Sequence, residues 1–77
     1  MKVILKGINP ELLNEEGDEF FQHNLNLLKQ VPYPLETIAE DTYPNVVYLY
    51  EYINDPIYTE SSQRWGLKWF DYEEIKD

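Results

Sequence analysis

Carboxylates are the one chemistry this sequence supplies in quantity. They fall into three groups. The first is Glu15, Glu16, Asp18 and Glu19, with Glu11 one turn earlier. The second is Glu36, Glu40 and Asp41, and the third is Asp71, Glu73, Glu74 and Asp77. No Lys or Arg lies between Lys6 and Lys29, or between Lys29 and Arg64. A surface tuned for stability interleaves both signs, because like charges at helical i, i+4 spacing cost about 0.2–0.5 kcal/mol per pair. Glu15 with Glu19, and Glu36 with Glu40, have that spacing if helical. Duplex DNA offers two negative charges per ~3.4 Å of axis. Strand residues two apart lie ~6.6–6.8 Å apart and helical neighbours ~5–6 Å apart, so either spacing can approximate a run of phosphates. The expected partner-binding, phosphate-imitating set is Glu11, Glu15, Glu16, Asp18, Glu19, Glu36, Glu40, Asp41, Asp71, Glu73 and Glu74. The competing reading is a solvated acidic surface, with Asp18 and Glu19 simply capping a helix.

Other chemistries have less to stand on. His23 is the only histidine and sits on the polar side of a helix, and a zinc site would need three more ligands. The run from Glu15 to Glu19 resembles a calcium loop in composition but lacks the alternating Asp/Asn positions and the Gly and Glu spacing of an EF-hand. A Ser-His-Asp set would have to join His23 to Ser61 or Ser62, neither in an elbow motif. Three scattered glycines make no phosphate loop. The sequence therefore points to no catalytic residue, metal or cofactor, and to a protein that is not an enzyme.

Seventy-seven residues fit a single domain, 1–77, marginal alone and helped by a partner or a second copy. Fifteen carboxylates against six basic side chains leave a net charge of -9. That excludes direct nucleic-acid binding, which needs clustered Lys and Arg, and disfavours anionic membranes. It favours a basic partner. Hydrophobic residues at 43% and aromatics at 16% argue against disorder. The absence of cysteine removes disulfides and thiol chemistry. The start, MKVILKG, is too short and polar for a signal peptide, and a soluble cytoplasmic protein is expected.

The elements that must position these groups read as follows. Residues 2–6 form a strand with Val3 and Leu5 inward, ended by Gly7. Asn9 caps a brief helix with Pro10 at its first position, and Gly17 stops it. Asp18 caps the main helix, which runs to about Gln30. Its stripe is Phe21, Leu25 and Leu28, widened by Phe20, Leu27 and Val31. Residues 31–34 break the helix. Residues 35–41 are expected to form one or two helical turns with Leu35, Ile38 and Ala39 inward, closed by Pro44. Residues 46–53 read as a strand with Val47, Leu49, Glu51 and Ile53 on one face and Val46, Tyr48, Tyr50 and Tyr52 on the other. On this spacing Tyr48, Tyr50 and Tyr52 make an aromatic stripe suited to a partner or a second copy, unless the 31–44 segment covers it, and Glu51 must sit near an edge or pair with Lys68 or Arg64. A turn follows at Asn54-Asp55-Pro56, and Ser61-Ser62-Gln63 ends that connection. A last strand runs from Arg64 to about Phe70 with Trp65, Leu67 and Trp69 inward, leaving an acidic tail on the surface. The fold class is α+β: a small antiparallel sheet of about three strands, one main helix and one or two short helices.

In overall character the chain resembles the small acidic inhibitors that bacteriophages use against host DNA-handling proteins. The likeness is compositional and covers no motif. It implies a phage-encoded DNA mimic that occludes the channel or groove of a nuclease, a restriction or CRISPR effector, a polymerase subunit or a sliding clamp in the host cytoplasm. A homodimer would lengthen the charged surface. The alternatives are an immunity or antitoxin-like protein that grips a basic toxin through its aromatic residues, and a non-inhibitory interaction module.

Overall fold

The alternating residues Lys2 to Leu5 bury every second side chain, and the strand they start becomes the centre of the fold. The computed structural model describes residues 1–40, 45–54 and 64–76. β1 (Lys2–Ile8) lies between β2 (Leu35–Ile38) and β5 (Phe70–Glu74), antiparallel to both. Val3 and Leu5 are fully buried. The strand does not stop at Gly7. Opposite β5 the register passes from Leu5–Tyr72 to Gly7–Asp71, which leaves Lys6 as the extra residue of a bulge. The bulge shifts the alternation by one, so that Ile8, rather than Gly7, packs against the core.

The two caps are where the sequence places them. Asn9 accepts from the Glu11 N–H at 3.1 Å and opens α1 (Pro10–Leu13). Asp18 accepts from the Phe21 N–H at 2.8 Å and opens α2 (Glu19–Leu28). α2 buries Leu25, Leu27 and Leu28 together with Asn24. Phe20 does not widen the stripe, being 66% exposed at the first turn. Phe21 turns inward to meet the Trp69 ring, centroids 5.7 Å apart. A side chain at Gly17 would collide with the Phe21 ring, so glycine there permits this close approach.

Residues 35–38 form a strand, not helical turns. Four residues cannot meet the cost of helix nucleation alone, whereas pairing with the β1 edge satisfies their backbone at once. The register sets Leu35 opposite Leu5 and Thr37 opposite Val3. Leu35 is thus half-buried on the core side, and Ile38 faces outward, 65% exposed. Ala39 is buried, its N–H donating to the Met1 carbonyl at 2.8 Å. The preceding Tyr33–Pro34 peptide is cis.

The strand expected over 46–53 is shorter. β3 (Val46–Tyr48) pairs with β4 (Arg64–Gly66) as a second, two-stranded sheet. After Leu49 the chain turns, and the N–H groups of Tyr52 and Ile53 both donate to the Leu49 carbonyl. The turn brings Leu49 and Ile53, four residues apart, into the core together and leaves Glu51 exposed. A straight strand would have buried that carboxylate without a partner, which is costly. The tyrosine stripe is broken as a result: Tyr48 and Tyr50 are exposed, and Tyr52 packs on the core.

The last strand is likewise interrupted. A 3-10 turn (Leu67–Trp69) carries the chain from β4 in one sheet to β5 in the other. Trp65, Leu67 and Phe70 are buried, and the Trp65 and Trp69 rings meet edge to face at 5.6 Å. The turn resets the alternation, so that Phe70 points inward and Asp71 outward. The acidic segment therefore continues as a strand while keeping its carboxylates in solvent. The core joins Val3, Leu5, Leu28, Val47, Leu49 and their neighbours between the two sheets and α2, an α+β arrangement.

Candidate functional site: the acidic surface

Every described carboxylate of the three groups is exposed. Glu11 lies in the first turn of α1, Glu15 and Glu16 in the connection that follows, and Asp18 and Glu19 at the start of α2. Part of this first group does structural work: Asp18 caps α2, and both it and Glu19 face the positive end of the helix dipole. Glu15 and Glu19 are not one helical turn apart, because Glu15 precedes α2. Glu36 and Glu40 do not share a helix face either, since Glu36 lies in β2 and Glu40 bridges to Val46 beyond it. Asp41, Asp77, Pro44, the Asp55-Pro56 turn and the Ser61-Ser62-Gln63 segment lie outside the described residues.

The elements that carry the first and third groups are tied together at Asn9. The Asn9 N–H donates to the Trp69 carbonyl at 2.9 Å, and the Asn9 side-chain amide donates to the Lys68 carbonyl at 3.1 Å. These bonds tie the start of α1 to the start of β5. Glu11 lies two residues after one side of this junction and Asp71 two residues after the other. From there β5 carries Asp71 and Glu73 on its outer face and Glu74, opposite Val3, on the other. Nothing in the local sequence signals this tie, because its acceptors are backbone carbonyls.

The second group stands apart. Opposed residues share a sheet face, so Ile4, Glu36 and Glu73 project from the outer face, with Lys2 opposite Ile38. β1 carries Lys2 and Lys6 between the two acidic strands. Lys6 pairs with Glu73 at 3.2 Å, both ends well exposed. Such a pair contributes about 0–1 kcal/mol and is screened by salt. The outer face therefore mixes signs, with Lys2 and Lys6 lying between Glu36 and Glu73.

Two further surface features were not singled out by the sequence. Leu13 (52% exposed) and Phe20 (66% exposed) flank the acidic α1–α2 connection. A shallow pocket of about 150 Å³ is lined by Lys2, Glu36, Thr37, Ile38 and Ile75, below the volume that encloses a typical small-molecule ligand. Among the described residues, no three His, Asp or Glu side chains converge as metal ligands, and no helix is long and apolar enough to cross a membrane. The phenol of Tyr33 is pushed by burial up to about 12, but it supports the core beside Phe70 and α2 rather than the acidic surface. In comparison with known proteins, no family model matches the chain, and no curated protein or solved structure matches it.

Proposed function

We propose that this protein is an acidic inhibitor that imitates DNA and occludes the basic channel or groove of a DNA-handling protein. The observation that supports this reading is a net charge of -9 whose described carboxylates in all three groups are exposed, with the start of α1, which carries Glu11, tied to the start of β5, which carries Asp71. Those held on capped helices and a paired strand, Glu11, Asp18, Glu19, Asp71, Glu73 and Glu74, bind at a lower entropic cost than the same charges on a loose chain. The set proposed to imitate phosphates is Glu11, Glu15, Glu16, Asp18, Glu19, Glu36, Glu40, Asp41, Asp71, Glu73 and Glu74. Counterion release on displacing DNA from such a channel makes the interaction steeply salt-dependent. The small acidic inhibitors of bacteriophages act in this way in the host cytoplasm, and that is the setting proposed here.

The aromatic, antitoxin-like alternative loses support, because the turn after Leu49 removes the strand that would have aligned three tyrosine rings. The test is capture of binding proteins from bacterial lysate on the immobilised chain at low salt, followed by elution with duplex DNA. Release of DNA-handling proteins by duplex is the expected result. Bound proteins that salt and duplex both leave in place would overturn the reading.

A further inference from the structure

The open edge of β5 has a second property that concerns its backbone rather than its charge. Ile75 donates its N–H to the Lys2 carbonyl at 2.9 Å, and the Trp69 carbonyl accepts from Asn9 at the other end of the strand, also at 2.9 Å. Antiparallel ladders alternate, so Asp71 and Glu73 direct their backbone groups toward β1. Those of Tyr72 and Glu74 point the other way, where no described strand lies. The opposite edge of the sheet is partly taken. There Glu36, Ile38 and Glu40 point away from β1, and Glu40 already donates to the Val46 carbonyl at 2.9 Å. Glu36 and Ile38 of β2 meet no described strand either, so both edges are open among the described residues, and β5 is the one that carries a run of carboxylates.

An open edge invites another strand, and proteins commonly guard it with charge. Here the charge is of one sign, and it selects against a second copy. Antiparallel self-pairing centred on Tyr72 sets Asp71 against Glu73. Centring on Glu73 opposes that residue to its own copy, and centring on Glu74 does the same there. Like charges directly opposite destabilise a strand pair in each of these registers. A strand with basic residues two apart meets the reverse situation: its cations lie opposite Asp71 and Glu73 on the outer face, and the residue between them lies beside the half-open Tyr72 ring on the inner face.

We infer that β5 accepts an extended basic segment of a partner protein, with a basic–apolar–basic pattern, by adding it to the sheet as a fourth strand. This does not rest on duplex imitation, since backbone pairing and not charge alone holds the segment. The probe is a capped seven-residue peptide of alternating lysine and valine, added to the full chain. Its control is the same peptide N-methylated at alternate residues, which removes the donors on the pairing edge and preserves the charge.

The expected result is slowed amide exchange at Tyr72 and Glu74 with the first peptide. Binding is expected to weaken by about tenfold or more with the methylated one. The double variant Asp71→Asn, Glu73→Gln, both at exposed positions, should weaken binding of the unmethylated peptide by roughly fivefold. Equal binding of the two peptides would reduce the edge to a charged surface and overturn the inference. So would protection at Glu36 and Ile38 instead, or concentration-dependent protection of Tyr72 without peptide, which would reveal a second copy there. Duplex competition against captured proteins can fail while this edge still pairs, and the converse holds too, so the two readings are separable.

Discussion

Asn9 holds the carbonyl of Lys68 with its side-chain amide while its side-chain oxygen caps α1. One side chain thereby stabilises a helix start and fixes where the chain enters β5. The two roles can be separated. Asn9→Ser keeps a capping oxygen but cannot reach as a two-donor amide, so it should lose about 0.5–1.5 kcal/mol for the Lys68 bond. Asn9→Ala loses the cap as well, at a further ~1 kcal/mol. Urea denaturation of the three proteins checks the order. Equal stability of the Ser and Ala variants would mean that the cap contributes nothing.

Asp18 poses a different question, because it is at once a cap and one of fifteen carboxylates. Asp18→Ala removes the acceptor for the Phe21 N–H and should cost about 1 kcal/mol. Asp18→Asn keeps the acceptor, gives up some attraction to the helix dipole, and relieves repulsion from Glu15, Glu16 and Glu19. Its stability should stay within about 0.5 kcal/mol of the parent. Added salt should raise the melting temperature of the parent by screening self-repulsion, and should raise it less in a Glu15→Gln, Glu16→Gln, Glu19→Gln variant. A melting temperature that falls with salt would show that the negative charges are already compensated within the fold.

The helix caps, the inward faces of Val3 and Leu5, and the buried Trp65 and Leu67 were legible in the sequence because each follows from a local rule. What escaped depended on where strands change phase or end and, at β2, on a strand forming in place of helical turns. The bulge at Lys6 and the 3-10 turn at Leu67–Trp69 each shift the alternation by one position, and the turn after Leu49 ends the strand before Glu51. Each shift puts an apolar side chain inside or a carboxylate outside, a choice that depends on burial and not on neighbouring residues. The acidic groups themselves were legible as runs. The tie of α1 to β5 at Asn9 and Trp69, and the lysines between Glu36 and Glu73, were not, because both depend on which strands become neighbours.

β2 offers a direct test of one such correction. If residues 35–38 were helical with Ile38 inward, Ile38→Thr would cost what a buried apolar loss costs. In the strand the side chain is 65% exposed, and the change should stay within about 0.5 kcal/mol. Leu49→Ala supplies the contrast. Leu49 is fully buried, and its truncation should cost about 2–5 kcal/mol through lost contact and a residual cavity. Chemical denaturation of both variants decides the matter, and a large loss at Ile38 would contradict the register with Lys2.

Tyr33 gives the fold an alkaline limit. Its hydroxyl donates to the Leu28 carbonyl at 2.9 Å, its ring meets Phe70, and burial raises its pKa from 10.0 to about 12. The folded state thus holds the phenolic proton more tightly than the unfolded chain does. The resulting stability is complete below the unfolded value of 10.0 and is lost as pH climbs toward about 12. Tyr33→Phe lacks both the proton and the hydrogen bond, so at neutral pH it should be less stable by about 0.5–1.5 kcal/mol. The other six of the seven tyrosines are common to both proteins and cancel in the comparison. Denaturation curves should therefore show the gap between parent and variant narrowing as pH rises from 10 toward 12. A gap that stays constant across that range would mean that the hydroxyl ionises as readily in the fold as in the open chain.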